Sequence, residues 1–232
     1  LAHPEAAQNF PAKFRDKIAR IGHPIRKEIE HPAPEGGYEF LKLDPTVPVV
    51  FITGGSQGAQ AINGTVLDAL KDLVTRYNIV HQCGSKNVLE ASQIASVVLK
   101  DSQFKERYKA YGLLNTLALR MAAGVSSLVI ARAGSTTIFE IAAFGKPAVL
   151  IPLREAANDH QRVNAYEYAK GGAAAVIEEE NLLPGIFLNQ VREALTNKNL
   201  ANKMSAAANR FFRPDAAEVI AKEIIRLTVG GV

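Results

Sequence analysis

Residues 47–64 constrain the fold of this chain more than any other segment. The run Val47–Thr53 is β-branched and apolar, stops at the glycines of Gly54-Gly55-Ser56-Gln57-Gly58, and gives way at Ala59 to a helical pattern. A strand that turns so quickly into a helix holds the helix N-terminus against the strand's carboxyl end. Roughly +0.5 of a charge and unpaired N–H groups then face the turn, and glycine lets the backbone approach a ligand closely. Such a corner suits a phosphate or diphosphate, with Gly55, Ser56, Gln57 and Gly58 as candidate contacts. The same kind of turn also serves close helix–strand packing.

The pattern recurs along the chain. Short runs rich in Val, Ile and Ala predict strands at Val47–Thr53, Ile79–Cys83, Ser127–Ala131, Ala148–Pro152 and Ala173–Ile177. Helices are expected at Ala59–Arg76, Val88–Leu99, Thr116–Ala123, Thr136–Phe144, Gln161–Lys170, Ile186–Thr196, Leu200–Phe212 and Ala216–Leu227. In the first, Ile62, Val66, Ala69, Leu70 and Leu73 share one stripe. Residues 100–114 are less regular and leave room for a further short strand. Apolar strands alternating with amphipathic helices imply an α/β fold, a Rossmann-like parallel sheet with helices on both faces. Ligands of such sheets bind beyond the carboxyl ends of the strands. Those turns are therefore where the chemistry is expected.

The first 45 residues differ, holding six of the eleven prolines and three of the five histidines. They read as a linker or the edge of another domain, with local order expected at Asp16–Ile21 and Pro24–Glu30. Residues 46–232 form the α/β domain. The chain starts with Leu, which reads as a fragment or a processed form. Its first residues lack the apolar core of a signal peptide, and no uninterrupted apolar run of about 18 residues suggests a membrane span. A single cysteine, Cys83, excludes an internal disulfide and fits a reducing compartment. The net charge of +4 favours an anionic ligand or an anionic membrane surface. There is no tryptophan and no basic–aromatic stripe, so no nucleic-acid partner is expected.

Two further turns are chemically rich. In Ala131–Pro147, Gly134 follows a strand, and Ser135, Thr136 and Thr137 offer hydroxyls at another helix start. Thr137 and Glu140 have capping-box spacing. Glu140 either satisfies a backbone N–H or, one turn into the helix, accepts hydrogen bonds from the two vicinal hydroxyls of a ribose. In Asn158–Ala165, the side chains of Asp159, His160, Gln161 and Asn164 crowd a helix start and supply both donors and acceptors, as sugar hydroxyls require. A capped surface helix explains the same residues. No cysteine or second histidine lies near His160 at ligand spacing, so no metal is expected. Arg26, in Gly22-His23-Pro24-Ile25-Arg26, has a planar fork suited to a phosphate, or is a solvated surface arginine.

The segments GGSQGA (54–59), HQCG (81–84), ARAGSTTIFE (131–140), GKPAVLIP (145–152) and DHQRVNA (159–165) together, and in this order, resemble the C-terminal half of the MurG family. These are bacterial UDP-N-acetylglucosamine transferases of peptidoglycan synthesis. GHPIR resembles the GNPxR element that ends that family's N-terminal domain. The resemblance implies one half of a GT-B fold, with residues 1–45 ending the N-terminal domain and 46–232 binding UDP-GlcNAc. It implies that Ser56 and its loop contact the diphosphate, and that Arg26 lies near the nucleotide end. Thr136 and Thr137 would lie beside the phosphates or sugar, and Glu140 on the ribose. His160, Gln161 and Asn164 line up with the run that reads the GlcNAc, and a backbone within 114–116 with the uracil contact. The family's reaction is inverting transfer of GlcNAc to lipid I, giving lipid II, without a cofactor. Its general base, lipid-linked acceptor site and membrane-docking patch belong to the N-terminal half. That half lies outside this chain, so no catalytic residue is assigned and turnover by the chain alone is not expected. The resemblance places the full-length protein in the cytoplasm, peripheral at the inner face of the plasma membrane. The donor half of another GT-B enzyme with a different lipid-linked acceptor, and a UDP-sugar-binding module without transfer activity, are the alternatives.

Overall fold

The computed structural model of the chain describes residues 10–19, 21–55, 58–156 and 159–229. Its framework is a six-stranded sheet, β1 (Val49–Thr53), β2 (Asn78–Gln82), β3 (Tyr108–Tyr111), β4 (Ser126–Ala131), β5 (Ala148–Leu150) and β6 (Ala174–Val176). The spatial order is β3-β2-β1-β4-β5-β6 and every pairing is parallel. The α/β class read from the sequence is therefore what the chain adopts. The order reverses direction between β1 and β4, so the turns leaving these two strands part to opposite sides and leave a crevice between them.

Ten α-helical segments are described: α1 (Gly37–Phe40), α2 (Gln60–Asp68), α3 (Leu70–Arg76), α4 (Val88–Val98), α5 (Thr116–Val125), α6 (Ser135–Phe144), α7 (His160–Lys170), α8 (Pro184–Thr196), α9 (Lys198–Phe211) and α10 (Ala216–Val229). They cover both faces of the sheet. Alternate residues of each central strand feed two cores, as a period of two dictates. Val50 and Ile52 of β1 and Leu128 and Ile130 of β4 join Ile62, Val66, Leu73 and Phe187 on one face. On the other, Val49, Phe51, Val129 and Ala131 meet Ala122, Ile138, Ile141 and Tyr168. Among the described residues no helix is long and apolar enough to cross a membrane.

Three features depart from the sequence pattern for local reasons, and a fourth, the strand in 100–114, is one that the pattern allowed. The single helix expected over Ala59–Arg76 is interrupted at Ala69, whose ψ of −2° closes a tighter turn. One turn earlier the Thr65 hydroxyl donates back to the Ala61 carbonyl, a bond that bends helices. β5 is shorter than Ala148–Pro152 because Pro152 has no N–H to give. The last donation in that run is from Ile151 N–H to the Ala131 carbonyl, 2.9 Å. The irregular stretch 100–114 holds β3 at the sheet edge. The early segment is more ordered than expected, since Ile29, Leu41 and Leu43 are buried. His31 and Ala33 are pinned to α5: Arg120 Nε donates to the His31 carbonyl and Ala33 N–H to the Arg120 carbonyl. Short 3-10 turns form at Ala12–Lys17 and Lys27–Glu30.

HQCG acts in the scaffold. His81 is fully buried, between Asn63 of α2 and Tyr108 of β3, at 3.0 Å from each. Asn63 Nδ2 donates to the Cys83 carbonyl, so its oxygen faces the imidazole. That makes His81 Nε2 the protonated nitrogen and leaves Nδ1 to accept from the Tyr108 hydroxyl. Burial lowers the His81 pKa to about 4 and raises that of Tyr108 above its ordinary value. Cys83 is a buried free thiol whose Sγ donates to the Tyr111 carbonyl, and burial pushes it up as well.

Candidate functional site

The crevice between β1 and β4 holds two adjoining spaces. The first, about 270 Å³, is lined by residues including Arg26, Thr53, Gln82, Leu114 and Glu140. The second, about 630 Å³, is lined by residues including Gly54, Gly58, Gln60, Arg132, Gly134 and Gln161. Gly55 and Thr137 border both, so the spaces form one groove along the carboxyl ends of the central strands.

Two helix N-termini open into the larger space. α2 has Ala59 at its N-cap and α6 has Gly134, and among the described residues no side chain caps either. Their first N–H groups therefore keep their hydrogen-bonding capacity, and their dipoles add positive potential at one place. Gly58 holds the turn close to β2. Its φ is +79°, and a Cβ there would sit 2.2 Å from the Cys83 carbonyl oxygen. Arg132 lies at the edge of this space in an ion pair with Glu179, and Nη1 donates to the carbonyls of Ile151 and Pro152 at 3.2 and 3.3 Å. These bonds tie the end of β5 to the end of β4.

The smaller space carries the carboxylate. With α6 starting at Ser135, Glu140 falls in its second turn, out of reach of the N-cap. The capping box read from Thr137 and Glu140 does not form, because the helix begins three residues earlier than that spacing requires. Glu140 instead faces the cavity with its side chain 18% exposed, and Arg26 Nη2 lies 3.8 Å away. That separation is an ion pair without a hydrogen bond. Burial raises the Glu140 carboxyl above its usual value, against the pull of Arg26. Arg26 Nη1 also donates to the Thr116 hydroxyl at 3.2 Å.

The remaining sequence candidates divide. Ser56 and Gln57 lie outside the described residues. The hydroxyls of Ser135 and Thr136 lie 3.4 and 3.1 Å from the two ring nitrogens of His23. Thr136 and Thr137 line the smaller space. Gln161 reaches the larger one, and its Oε1 accepts the Leu153 N–H at 3.1 Å, which turns its amide nitrogen away from that bond. Asn164 is half-buried, with Nδ2 donating to the Ala133 carbonyl at 3.2 Å. His160 is exposed on the first turn of α7. Neither of these two is among the residues lining the groove. Leu114, the first residue of the stretch read as the base contact, borders the smaller space together with Leu113.

Sequence reasoning passed over His23, Thr53, Gln82 and Arg132. His23, Gln82 and Arg132 stand inside quoted motifs. His23 clamps the linker onto the start of α6, with its ring 5.7 Å from Phe139.

A family model, the glycosyltransferase family 28 C-terminal domain, matches residues 49–220. The chain is 33% identical over 203 residues to a UDP-N-acetylglucosamine–N-acetylmuramyl-(pentapeptide) pyrophosphoryl-undecaprenol N-acetylglucosamine transferase of Treponema denticola. That alignment covers 87% of this chain and 52% of the relative. It is 36% identical to the transferase of the same name from Clostridium novyi, over 84% of this chain and 52% of the relative. Among solved structures, MurG of Acinetobacter baumannii superimposes with a TM-score of 0.67 at 28% identity, covering 94% of this chain and 58% of that one. The chain thus spans about half the length of the curated relatives it matches. The resemblance carried by the five ordered motifs is borne out, and with it the reading as half of a GT-B fold. The chain belongs to the glycosyltransferase family 28 C-terminal domains.

Proposed function

We propose that this chain is the donor-binding half of an N-acetylglucosaminyltransferase that takes UDP-GlcNAc and acts on a lipid-linked muramyl acceptor, giving lipid II. The observation that carries the reading is the convergence of two uncapped helix N-termini on the space beside Gly55 and Gly58. A diphosphate there meets N–H donors from both helices. The nucleoside then extends into the smaller space, where the Glu140 carboxylate accepts from the ribose hydroxyls and Arg26 flanks it. The sugar extends the other way, toward Gln161, with His160 and Asn164 on the same helix. That the relatives are UDP-N-acetylglucosamine transferases supports a UDP-sugar as the ligand.

The chemistry asked of this half is stabilisation of the leaving group. As the anomeric carbon is displaced, negative charge grows on the departing UDP. Pre-oriented N–H groups and helix dipoles stabilise that charge without reorganising. A donor of this kind is typically worth about 2.7–4 kcal/mol. The acceptor site and the general base are assigned to the half of the relatives that this chain does not span. Contact with the inner face of the plasma membrane belongs with that half as well.

The test is calorimetric titration with UDP-GlcNAc, UDP-glucose and UDP-GalNAc. Selective binding of UDP-GlcNAc is expected, with no lipid II formed by the chain alone. Equal affinity for all three sugars removes the sugar-reading role of the α7 side chains. No binding of UDP in any form overturns the nucleotide reading.

A further inference from the structure

We propose that Thr53 donates a hydrogen bond to the nucleoside half of the ligand, and that Gln82 aims it. A threonine hydroxyl has one proton and two lone pairs. Both lone pairs of Thr53 are engaged: Gly55 N–H donates to Oγ1 at 3.2 Å and Gln82 Nε2 at 3.0 Å. The orientation of the Gln82 amide is not free. Its Oε1 accepts the Leu114 N–H at 3.0 Å, and a backbone N–H can only donate. The amide nitrogen must therefore face Thr53.

With both lone pairs taken, the Thr53 proton has to go elsewhere, and among the described residues none accepts it. Thr53 is buried at the end of β1 and lines the smaller space with Arg26, Leu114 and Glu140. It does not line the larger one. A buried donor aimed into a cavity wants an oxygen acceptor there, and the base and ribose of a nucleoside offer several. The same bonds run unbroken from the Leu114 backbone through Gln82 and Thr53 to Gly55. They hold the two ends of the smaller space at a set distance. This inference rests on the nucleotide reading of the crevice.

The experiment titrates the chain and its Thr53→Ser, Thr53→Val and Gln82→Met variants with uridine and with UDP, alongside thermal unfolding. Wild type is expected to bind both. Thr53→Val should lose about tenfold in uridine affinity, the size of one hydrogen bond, while Thr53→Ser stays within about twofold. A role in packing alone gives the opposite order, because valine fills the same volume and serine leaves a methyl-sized hole. Valine binding as well as wild type, or better than serine, overturns the proposal. Should valine unfold the strand, Gln82→Met carries the test: it keeps the hydroxyl but no longer aims it, and unchanged uridine affinity refutes the relay. Failure of wild type to bind either ligand would instead remove the nucleotide reading beneath it.

Discussion

Replacing Glu140 by Gln should move ligand affinity and stability in opposite directions. A carboxylate that accepts from two ribose hydroxyls makes charge-assisted bonds worth about 1.5–3 kcal/mol. The amide keeps one acceptor oxygen and loses the charge. Uridine affinity should therefore fall by about ten- to a hundredfold. The ion pair with Arg26 cannot account for such a loss, since Arg26 is 57% exposed and the atoms are 3.8 Å apart. Pairs of that kind contribute about 0–1 kcal/mol. Stability follows from the raised carboxyl pKa, whose first cause is burial. A group raised in the folded state adds stability that is fully present below its unfolded pKa and lost as pH rises through the folded one. At neutral pH Glu140 is thus held charged at a cost, which Gln removes. The unliganded variant should melt at the same temperature as wild type or higher. Uridine is the ligand of choice because it has no phosphate to titrate. Wild-type affinity should fall as acid protonates Glu140, and the variant should lack that dependence. Unchanged uridine affinity in Glu140→Gln, or a loss that merely tracks a lower melting temperature, would falsify the assignment.

Acid should destabilise the chain through His81, whose pKa drops from 6.5 to about 4 on burial. The unfolded chain takes up the proton first, so up to about 3 kcal/mol is lost as pH falls from 6.5 to 4, and denaturant titrations should show that slope diminished in His81→Gln. Gly58→Ala should destabilise by 2 kcal/mol or more, roughly the cost of combined backbone strain and overpacking, because the new methyl meets the Cys83 carbonyl and φ stays at +79°. A melting temperature equal to wild type would show that the turn relaxes freely. Gly134→Ser should raise stability by a few tenths of a kcal/mol through a new N-cap, since a Cβ there meets only Thr137 Oγ1 at 3.7 Å. It should weaken UDP by spending an N–H that the diphosphate uses, and undiminished UDP affinity would show that α6 does not face the phosphates.

The central strands were legible because each is a short apolar run feeding two cores, a pattern that survives any detail of packing. β3 showed only as room for a short strand within 100–114, since Tyr108-Lys109-Ala110-Tyr111 mixes a lysine into an edge strand whose outer side needs no apolar cover. The start of α6 was misread for a related reason. Ser135, Thr136 and Thr137 all favour helix starts, and only the strand end at Ala131 selects Gly134 as the N-cap. Glu140 and Arg26 were found from their chemistry and their motifs. Thr53 and Gln82 were missed because an engaged lone pair is a property of two strands brought together, 29 residues apart in the chain.

The same consideration explains why we assign the proposed ligand to the crevice and not to the cavity near β3. The cavity beside Tyr108 is lined by Lys100, Lys105 and Lys109 at a free sheet edge. Edge lysines there also deter pairing with another chain. In the crevice, by contrast, the starts of α2 and α6 receive no cap from Ala59 or Gly134, and a half-buried carboxylate stands beside an exposed arginine. Each is a small loss of stability that hydrogen bonding within the chain would have avoided, and all face one groove. Helix starts without a side-chain cap also occur elsewhere in the fold; what sets the crevice apart is that two of them and a carboxylate share one groove, where an anionic ligand rich in hydroxyls offers a partner to each.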